Sequence, residues 1–365
     1  MGDSGGAFLS DGKRVLNFSS NDYLDLARAP EVRESAETAL RKWGCGSTSS
    51  RLLVGTFSCH EELESRLARF KGYEDAIAFG SGYLTNVGTV SALVGRHDLV
   101  LADRLAHASL LDGAALSRAG VRRFQHNDVD HLSNLLRLKP SRGRCLVITE
   151  SVFSMDGDLA PLREIAETAL SNGAVLLVDE AHATGVWGPG GSGLTGELRL
   201  QDRVFADMGT FSKALGAYGG FVAGSATLKR WLVNHARSFI FSTGLPPPCV
   251  GAVMGALDIL ERERGLGAEL LRRAGIFRGL LKASGFDTAN SASQIIPLII
   301  GENNRTLAFA ARLRANGVMA AAVRPPAVPE GTARLRFSVT LAHNEDDLKR
   351  AADIVEAVAH ETGVL

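Results

Sequence analysis

The chain has 365 residues, and its 40 Lys plus Arg balance 40 Asp plus Glu, so the formal net charge is zero. A neutral chain lacks the basic patch with which nucleic-acid-binding and membrane-surface proteins hold their partners, and we expect neither partner. Hydrophobic residues make up 45% and charged residues 22%, a balance that excludes disorder as the main state. At about 150 residues per domain, this length predicts two domains with a large core.

The sequence gives no signal for a membrane, for secretion or for a metal. Residues 76–95 carry no charge over a membrane-spanning length, but they are rich in Gly, Ser, Thr and Asn, which fill hydrocarbon poorly. No basic segment followed by an apolar run begins the chain, so no signal peptide is predicted. The four cysteines are far apart, and His60 beside Cys59 has no further ligand pattern, so we expect no disulfide framework, no metal site and a cytoplasmic protein.

From about Glu31 the chain alternates helical and strand patterns. Pro161 opens one helix, in which apolar residues recur at helical spacing. Apolar runs separate the helices, and such runs predict strands buried on both faces, as in a helix-covered and mostly parallel sheet. The predicted strands are Ala76–Phe79, Leu99–Ala102, Cys145–Thr149, Val175–Val178, Val204–Ala206 and Phe221–Ala223.

The pattern changes after residue 245, where Pro246, Pro247 and Pro248 break the chain. A long helix is predicted near Cys249–Arg264. Beyond it, the sequence predicts a smaller α+β domain. We therefore predict an N-terminal segment over 1–30, a large α/β domain over 31–245 and a small C-terminal domain over 246–365. The elements predicted in the small domain are strands at Ile295–Ile300, Val318–Val323 and Arg334–Val339 and helices at Asn304–Asn316 and Asn344–His360.

The first chemical signal is Asp179 and His182, just past a predicted buried strand. In open parallel sheets ligands bind at the carboxyl ends of strands. A carboxylate there can pair with a protonated ring nitrogen and keep it charged. The alternative is an Asp that caps a helix and a His on the surface.

The second signal is Lys213, which lies among small hydroxyl residues and glycines in the segment TFSKALG. Lysine is the side chain that forms Schiff bases with carbonyl cofactors. The alternative is an ordinary solvated lysine in a loop. Asp179 precedes Lys213 by one strand–helix–strand unit, a spacing that can bring both to the same edge of the sheet.

The third signal is Gly80-Ser81-Gly82-Tyr83, between a predicted strand and a predicted helix. Backbone N–H groups at a helix N-terminus bind phosphate well. No GKS or GKT follows, so this is not a P-loop, and a structural turn is the alternative. A phosphate cradle, an acid for a pyridine nitrogen and a lysine for an aldehyde together favour pyridoxal 5′-phosphate (PLP) as the cofactor.

Eight segments carry a resemblance that extends from about Asn17 nearly to the C-terminus. The chain resembles the α-oxoamine synthases, which are PLP-dependent transferases of fold type I (aspartate-aminotransferase-like). The resemblance implies an α/β fold with a large, mostly parallel sheet domain covered by helices and a smaller α+β C-terminal domain. The segments are NFSSNDYL from Asn17, GSGYLTN from Gly80, DRLAHASLL from Asp103, HNDVDHL from His126, SVFSMDGD from Ser151, DEAHATG from Asp179, TFSKALG from Thr210 and RPPAVPEGTARLR from Arg324.

The resemblance also implies roles for single residues. Lys213 would hold PLP through a Schiff base, Asp179 would pair with the pyridine nitrogen, and His107 would stack on the ring and contact the substrate. His182 and Ser154 would bond near the phenolic oxygen of the ring. The catalytic residues would be Lys213, His107, Asp179 and His182. The phosphate would be bound by Gly82, Tyr83, Thr210, Ser212 and, from a second chain of a homodimer, Thr243; the substrates would be bound by Asn21, His107, Arg324 and Ala327.

Within this family, the segments RPPAVPEGTARLR and DRLAHASLL favour condensation of L-alanine with a pimeloyl thioester, carried by coenzyme A or by acyl carrier protein. The N-terminal segment is shorter than in the family, and Ala327 stands where a hydroxyl residue is common, so acyl-chain binding is less well indicated. Three alternatives stay open: another α-oxoamine synthase such as glycine C-acetyltransferase, a fold-type I aminotransferase, and a non-catalytic protein on the same scaffold.

Overall fold

The computed structural model describes residues 5–10, 12–139 and 142–365, and the start of the N-terminal segment predicted over 1–30 lies outside them. The chain forms two compact units. One unit holds Leu26–Val152 and Ala160–Arg264, and the other holds the described residues up to Asp25 with Phe153–Leu159 and Gly265–Leu365. The domain limits expected from the sequence, at residues 30 and 245, differ from these, and the short excursion of Phe153–Leu159 into the second unit was not predicted.

Strands β1 (Ala7–Ser10) and β2 (Lys13–Asn17) open the described chain. The described residues of the first unit form seven strands and ten α-helices, and several of the helices begin at a Pro or at a capping Ser or Asp. These are α1 (Pro30–Trp43), α2 (Ser58–Lys71), β3 (Asp75–Phe79), α3 (Gly82–Leu93), β4 (Leu99–Asp103), α4 (Ala108–Ser117), β5 (Gly120–Phe124), α5 (Val129–Arg137), β6 (Cys145–Glu150), α6 (Leu162–Ser171), β7 (Val175–Asp179), α7 (Leu194–Glu197), β8 (Ala206–Thr210), β9 (Gly220–Gly224), α8 (Ala226–His235), α9 (Arg237–Ile240) and α10 (Pro247–Arg262).

The seven strands form one sheet in the order β3-β9-β8-β7-β6-β4-β5. Strand β9 runs antiparallel to both of its neighbours, whereas every other pair in the sheet is parallel, which confirms the prediction of a mostly parallel sheet. Every residue of β4, β6, β8 and β9 is buried. Each fully buried Leu, Ile or Val side chain stabilises the fold by about 1.5–3 kcal/mol, so these apolar runs hold the sheet between its helices.

Three polar residues end three neighbouring parallel strands. Glu150 is the last residue of β6, Asp179 the last of β7 and Thr210 the last of β8. Because the strands are parallel, their ends lie at one edge of the sheet. The strand predicted at Val204–Ala206 begins only at Ala206 and continues to Thr210, so Thr210 belongs to the strand and not to a following loop.

The second unit continues with α11 (Leu266–Ala283), β10 (Ile295–Gly301), α12 (Asn303–Ala315), β11 (Val318–Met319), β12 (Ala321–Val323), β13 (Ala333–Ser338) and α13 (Glu345–Thr362). Strands β10, β13 and β12 form an antiparallel sheet. Strands β1, β2 and β11 form a mixed sheet, in which β1 runs antiparallel to β2 and β11 runs parallel to it. Its core is aromatic: the ring of Phe18 stacks on Phe277 at 5.0 Å and on His343 at 4.2 Å. Over the ranges described, no helix combines the length and the apolar character needed to cross a membrane.

Candidate active site

A cavity of about 220 Å³ lies in the first unit at the carboxyl ends of β6, β7 and β8. Its walls come from those strand ends and from the starts of α3 and α4. It brings together eight of the predicted site residues. The lining consists of Ser81, Gly82, Tyr83, Asn86, His107, Ser109, Glu150, Asp179, Ala181, His182, Met208, Thr210, Ser212 and Lys213.

The Asp179 carboxylate is held by two N–H donors. Its Oδ2 accepts a hydrogen bond from Asn86 Nδ2 at 2.7 Å, and its Oδ1 accepts one from the backbone N–H of Ala181 at 2.9 Å. Only 5% of Asp179 is exposed. Hydrogen bonds to an ionised carboxylate are among the stronger ones in proteins, so the carboxylate is fixed in place for a cationic partner in the cavity.

The amide of Asn86 extends this network to His107. Asn86 Nδ2 also donates to Ser109 Oγ at 2.9 Å. The Ser109 hydroxyl lies 2.7 Å from His107 Nδ1, and that nitrogen also accepts the backbone N–H of Ser109, so Nδ1 is the acceptor and Nε2 carries the proton. His107 is the N-cap of α4, which sets its backbone, and the network sets its ring.

The start of α3 and the end of β8 form a cradle that suits a phosphate. Ser81 caps α3, and its Oγ accepts the N–H of Leu84 at 3.1 Å. A Cβ on Gly82 would lie 3.2 Å from Thr210 Oγ1, so glycine lets the backbone approach the hydroxyls closely. Thr210 Oγ1 donates to the Gly219 carbonyl and lies 2.9 Å from Ser212 Oγ. N–H groups of a helix start beside hydroxyls are a ready anion site.

Tyr83 and Lys213 line the same cavity. Tyr83 is half exposed, and its hydroxyl donates to Asp112 Oδ2 at 2.7 Å. Lys213 is partly buried and lies in the turn after β8. A hydrogen bond of 2.9 Å from the Gly216 N–H to the Lys213 carbonyl closes this turn. Gly216 has φ +60°, and a Cβ there would lie 2.3 Å from the Ala27 nitrogen. Glycine is therefore required for the turn that positions Lys213.

A buried ionic cluster lies directly beside the Asp179 turn. Lys71 Nζ lies 2.5 Å from Glu180 Oε2 and 2.9 Å from Asp207 Oδ1, and none of the three side chains is exposed to solvent. Glu180 Oε1 also accepts the N–H of Thr195 at 2.8 Å. Burial raises the pKa of Asp207 well above its ordinary value, although Lys71 opposes this shift. Because Glu180 follows Asp179 in the chain, the cluster anchors the turn that carries Asp179 and His182.

The residues that line the cavity fit PLP. A Cβ on Gly82 would narrow the cradle. Two buried oxygens of residues that line the cavity, Asn86 Oδ1 and Glu150 Oε1, have no hydrogen-bond partner within the described part of the chain. A carboxylate, a lysine and an anion cradle match the pyridine nitrogen, the aldehyde and the phosphate. Residues 5–10, 12–139 and 142–365 contain no group of three or more His, Cys, Asp or Glu that could hold a metal ion.

Five predicted site residues lie elsewhere. Thr243 is exposed in the first unit, where it forms an isolated bridge with Ser50 and is not among the lining residues found in the described chain. The other four, Asn21, Ser154, Arg324 and Ala327, belong to the second unit.

In that unit, Arg336 holds two of the four. Its Nε donates to the Ser154 carbonyl at 2.6 Å, and its Nη2 lies 3.3 Å from Asn21 Oδ1. Arg324 and Ala327 are exposed and share a turn in which the Ala327 N–H donates to the Arg324 carbonyl. The roles of all four stay predictions.

The sequence assigned no site role to six of the lining residues, which are Ser81, Asn86, Ser109, Glu150, Ala181 and Met208. Asn86 and Ser109 stand inside the quoted segments GSGYLTN and DRLAHASLL, but spacing alone gave them no role. Glu150 directly follows the predicted strand Cys145–Thr149, so a polar residue at a strand end was the available signal.

The aminotransferase class I and II family matches residues 13–355. The 8-amino-7-oxononanoate synthase of Geobacter sulfurreducens is 44% identical over 366 residues, which cover 100% of this chain and 94% of the relative. A solved serine palmitoyltransferase from S. paucimobilis with a bound PLP–myriocin aldimine has a TM-score of 0.94 and 33% identity, over 97% of this chain and 90% of that one. A solved 8-amino-7-oxononanoate synthase from Francisella tularensis has a TM-score of 0.82 and 27% identity, over 95% of this chain and 98% of that one.

These matches confirm the predicted fold class, the α/β fold of fold-type I PLP-dependent transferases, and the predicted class of enzyme. They differ in substrate, because the names include both an oxononanoate synthase and a palmitoyltransferase. The match over most of the chain also agrees with the eight motifs. The chain therefore belongs to the aminotransferase class I and II family, in the α-oxoamine synthase group that its motifs indicate.

Proposed function

We propose that this enzyme condenses L-alanine with a pimeloyl thioester and forms 8-amino-7-oxononanoate, CO2 and the free thiol carrier, a step of biotin biosynthesis. The observation that carries the proposal is the single cavity that holds Asp179, His107 and Lys213 with an anion cradle. Relatives named for this product support the choice of substrates, at 44–45% identity over nearly the full chain.

PLP, when bound, supplies a carbonyl that condenses with amines and a pyridinium ring that accepts the electron pair of a carbanion. The α3 cradle with Thr210 and Ser212 would hold its phosphate. The Asp179 carboxylate, fixed by Asn86 and Ala181, would keep positive charge on the ring nitrogen. His107, with its ring orientation set through Ser109, would cover one face of the ring.

Lys213 is the proposed base. Its amine takes the Cα proton of alanine, and the carbanion attacks the thioester carbonyl carbon. A C–C bond forms, the C–S bond breaks, and the leaving thiolate takes a proton. The alanine carboxylate then leaves as CO2, and Cα takes a proton to give the amino-ketone. From the resemblance, Arg324 is the proposed partner of the alanine carboxylate, since a guanidinium can form two charge-assisted bonds with it.

We also propose a cytoplasmic homodimer without a nucleic-acid or membrane partner. Exposed apolar side chains support the dimer: Leu53 is 76%, Val54 73% and Phe241 71% exposed, and the loops that carry them meet at the Ser50–Thr243 bridge. A second chain over these loops would bring Thr243 into an interface, as the resemblance implies. Light scattering tests the dimer, which requires twice the monomer mass.

Thiol release tests the choice of substrates. PLP-loaded enzyme is given L-alanine with pimeloyl-CoA, glycine with acetyl-CoA, and L-serine with palmitoyl-CoA. The proposal predicts that kcat/KM for the first pair exceeds the others by about tenfold or more, because an acyl pocket built for one chain length discriminates at this level. The structural match to serine palmitoyltransferase supports the serine pair as the second candidate, and a preference for it would overturn the proposal.

A further inference from the structure

Two residues with buried carboxyl groups line the cavity at the ends of neighbouring strands. Glu150 ends β6 and Asp179 ends β7, and the two residues are direct partners in the parallel register. They are 2% and 5% exposed, and both line the cavity. Residues paired in register point to the same face of a sheet, so two acidic groups share one dry site. Two carboxylates in such a position repel each other, and one of them favours its protonated form.

The hydrogen bonds distinguish the two groups. Asp179 accepts an N–H group on each oxygen, from Asn86 and from Ala181, and these donors stabilise negative charge. The backbone N–H of His107 favours the charged form of Glu150, but Glu150 Oε1 has no hydrogen-bond partner among the residues described. A buried carboxyl oxygen without a partner is costly in an apo site, which points to a partner that arrives with the ligand.

The charges around Glu150 favour the same assignment. Burial, and after it the negative charge of Asp179, raise the pKa of Glu150 well above its ordinary value, and Asp103 on β4 adds to this. Lys213 and the His107 N–H act in the opposite direction. His182 also lines the cavity. The balance of these effects favours the protonated form of Glu150.

We propose that Glu150 is an uncharged carboxylic acid in the lining of the cavity and that its Oε1–H donates a hydrogen bond to an acceptor atom of the molecule that fills the cavity. The pair of carboxyl groups then carries a single negative charge, located on Asp179. This inference rests on the proposed binding of PLP in this cavity. It assigns Glu150 as a further binding residue, one that the sequence did not indicate.

Infrared spectroscopy tests the protonation directly. Difference spectra at neutral pH compare the wild-type enzyme, without and with PLP, with Glu150→Gln. The control is Glu164→Gln, because Glu164 is an exposed residue of α6 and its loss leaves every buried carboxyl group in place. The proposal predicts a band of a protonated carboxyl group in the difference between the wild type and Glu150→Gln, and no such band in the difference between the wild type and Glu164→Gln. A difference spectrum of the wild type and Glu150→Gln without this band would overturn the proposal.

Stability against pH gives a second readout that needs no turnover. A carboxyl group whose pKa is raised in the folded state binds more protons there than in the unfolded chain. Its contribution to stability therefore falls as pH rises above 4.5, its pKa in the unfolded chain. We expect the free energy of unfolding of Glu150→Gln to increase progressively relative to that of the wild type as pH rises from 4.5 through neutrality. A stability difference that does not change with pH would contradict the protonated state.

The donation into the cavity is tested by comparing two neutral substitutions. Glu150→Gln keeps an N–H donor, whereas Glu150→Leu has a similar volume and none. We expect the PLP dissociation constant of Glu150→Leu to exceed that of Glu150→Gln by about tenfold, the effect of one buried hydrogen bond. Equal constants would refute the donation. If the infrared band is present and alanine is not a substrate, the assignment of Glu150 stands and only the proposed function fails.

Discussion

Asn86 Nδ2 lies 2.7 Å from Asp179 Oδ2 and thereby ties helix α3 to the end of strand β7. The same amide nitrogen donates to Ser109 Oγ at 2.9 Å, and that hydroxyl reaches His107 Nδ1. One amide therefore orients both the acid proposed for the pyridine nitrogen and the histidine proposed for the ring face. The two roles are linked in the structure although the residues are far apart in the chain.

Replacing Asn86 by Leu should weaken cofactor binding. The substitution keeps the volume but removes both N–H donors, so Asp179 loses a hydrogen bond to a charged group, which is worth about 1.5–3 kcal/mol. We expect the PLP dissociation constant, measured by absorbance titration of the apoenzyme, to rise by about tenfold or more. Thr89→Val is the matched control, since Thr89 is buried on the same helix and its hydroxyl has no partner within the described ranges. Equal effects of the two substitutions would contradict the role of Asn86.

The buried cluster beside the Asp179 turn should be essential for folding. Lys71→Met leaves Glu180 and Asp207 in the interior without their cation, and breaking a buried pair in this way costs about 3–5 kcal/mol. Denaturant unfolding of the apoenzyme measures this loss. The control is Arg203→Met, which breaks the partly exposed pair with Glu167 and should cost about 1 kcal/mol or less. A Lys71→Met variant as stable as the control would show that the cluster is not needed.

His343 should make the protein less stable in acid. Burial lowers its pKa from 6.5 to about 4, and the neutral ring stacks on Phe18. Since the folded pKa lies below the unfolded one, the stabilisation by the neutral ring is complete above pH 6.5 and is lost as pH falls towards 4. The full loss is about 3 kcal/mol.

The free energies of unfolding of the wild type and of His343→Asn, measured at several pH values, test this effect. Asn does not titrate, and its side-chain oxygen can accept the Thr340 N–H that His343 Nδ1 accepts in the wild type. We expect the advantage of the wild type over the variant to shrink by about this amount between pH 7 and pH 4. The substitution of exposed His360 by Asn is the control for loss of a histidine. An advantage that stays constant over this range would mean that His343 is not coupled to folding.

The sequence predicted the buried parts of the fold better than its edges. Strands β4, β6 and β7 follow apolar runs, because they are buried on both faces. Strand β5 was not predicted, since it lies at the edge of the sheet and exposes Arg122 and Arg123. Helix α11 was also missed. Its buried residues Leu270, Ala274, Phe277 and Leu281 follow helical spacing, but three glycines, Gly267, Gly275 and Gly279, lower its helix propensity.

The part of the site that lies within single sequence segments could be predicted. Asp179 ends a strand, Lys213 and Gly82 come shortly after one, and parallel strands bring such positions to one edge. Asn86 could not be assigned in this way, because its role comes from its contact with Asp179 across the fold. Glu150 does stand at a strand end, but its proposed role depends on its pairing with Asp179 in the register, which the sequence does not show. The antiparallel direction of β9 could not be predicted either, because a buried apolar run does not indicate strand direction.

The most direct test is detection of the product by mass spectrometry. PLP-loaded wild type and Lys213→Ala are incubated with L-alanine and pimeloyl-CoA. We expect the wild type to form 8-amino-7-oxononanoate with equal amounts of CO2 and free thiol. We expect Lys213→Ala to form none above background, because the base that takes the Cα proton is missing. A wild type that forms no amino-ketone from this pair, or a Lys213→Ala variant that forms it at the wild-type rate, would contradict the proposed function.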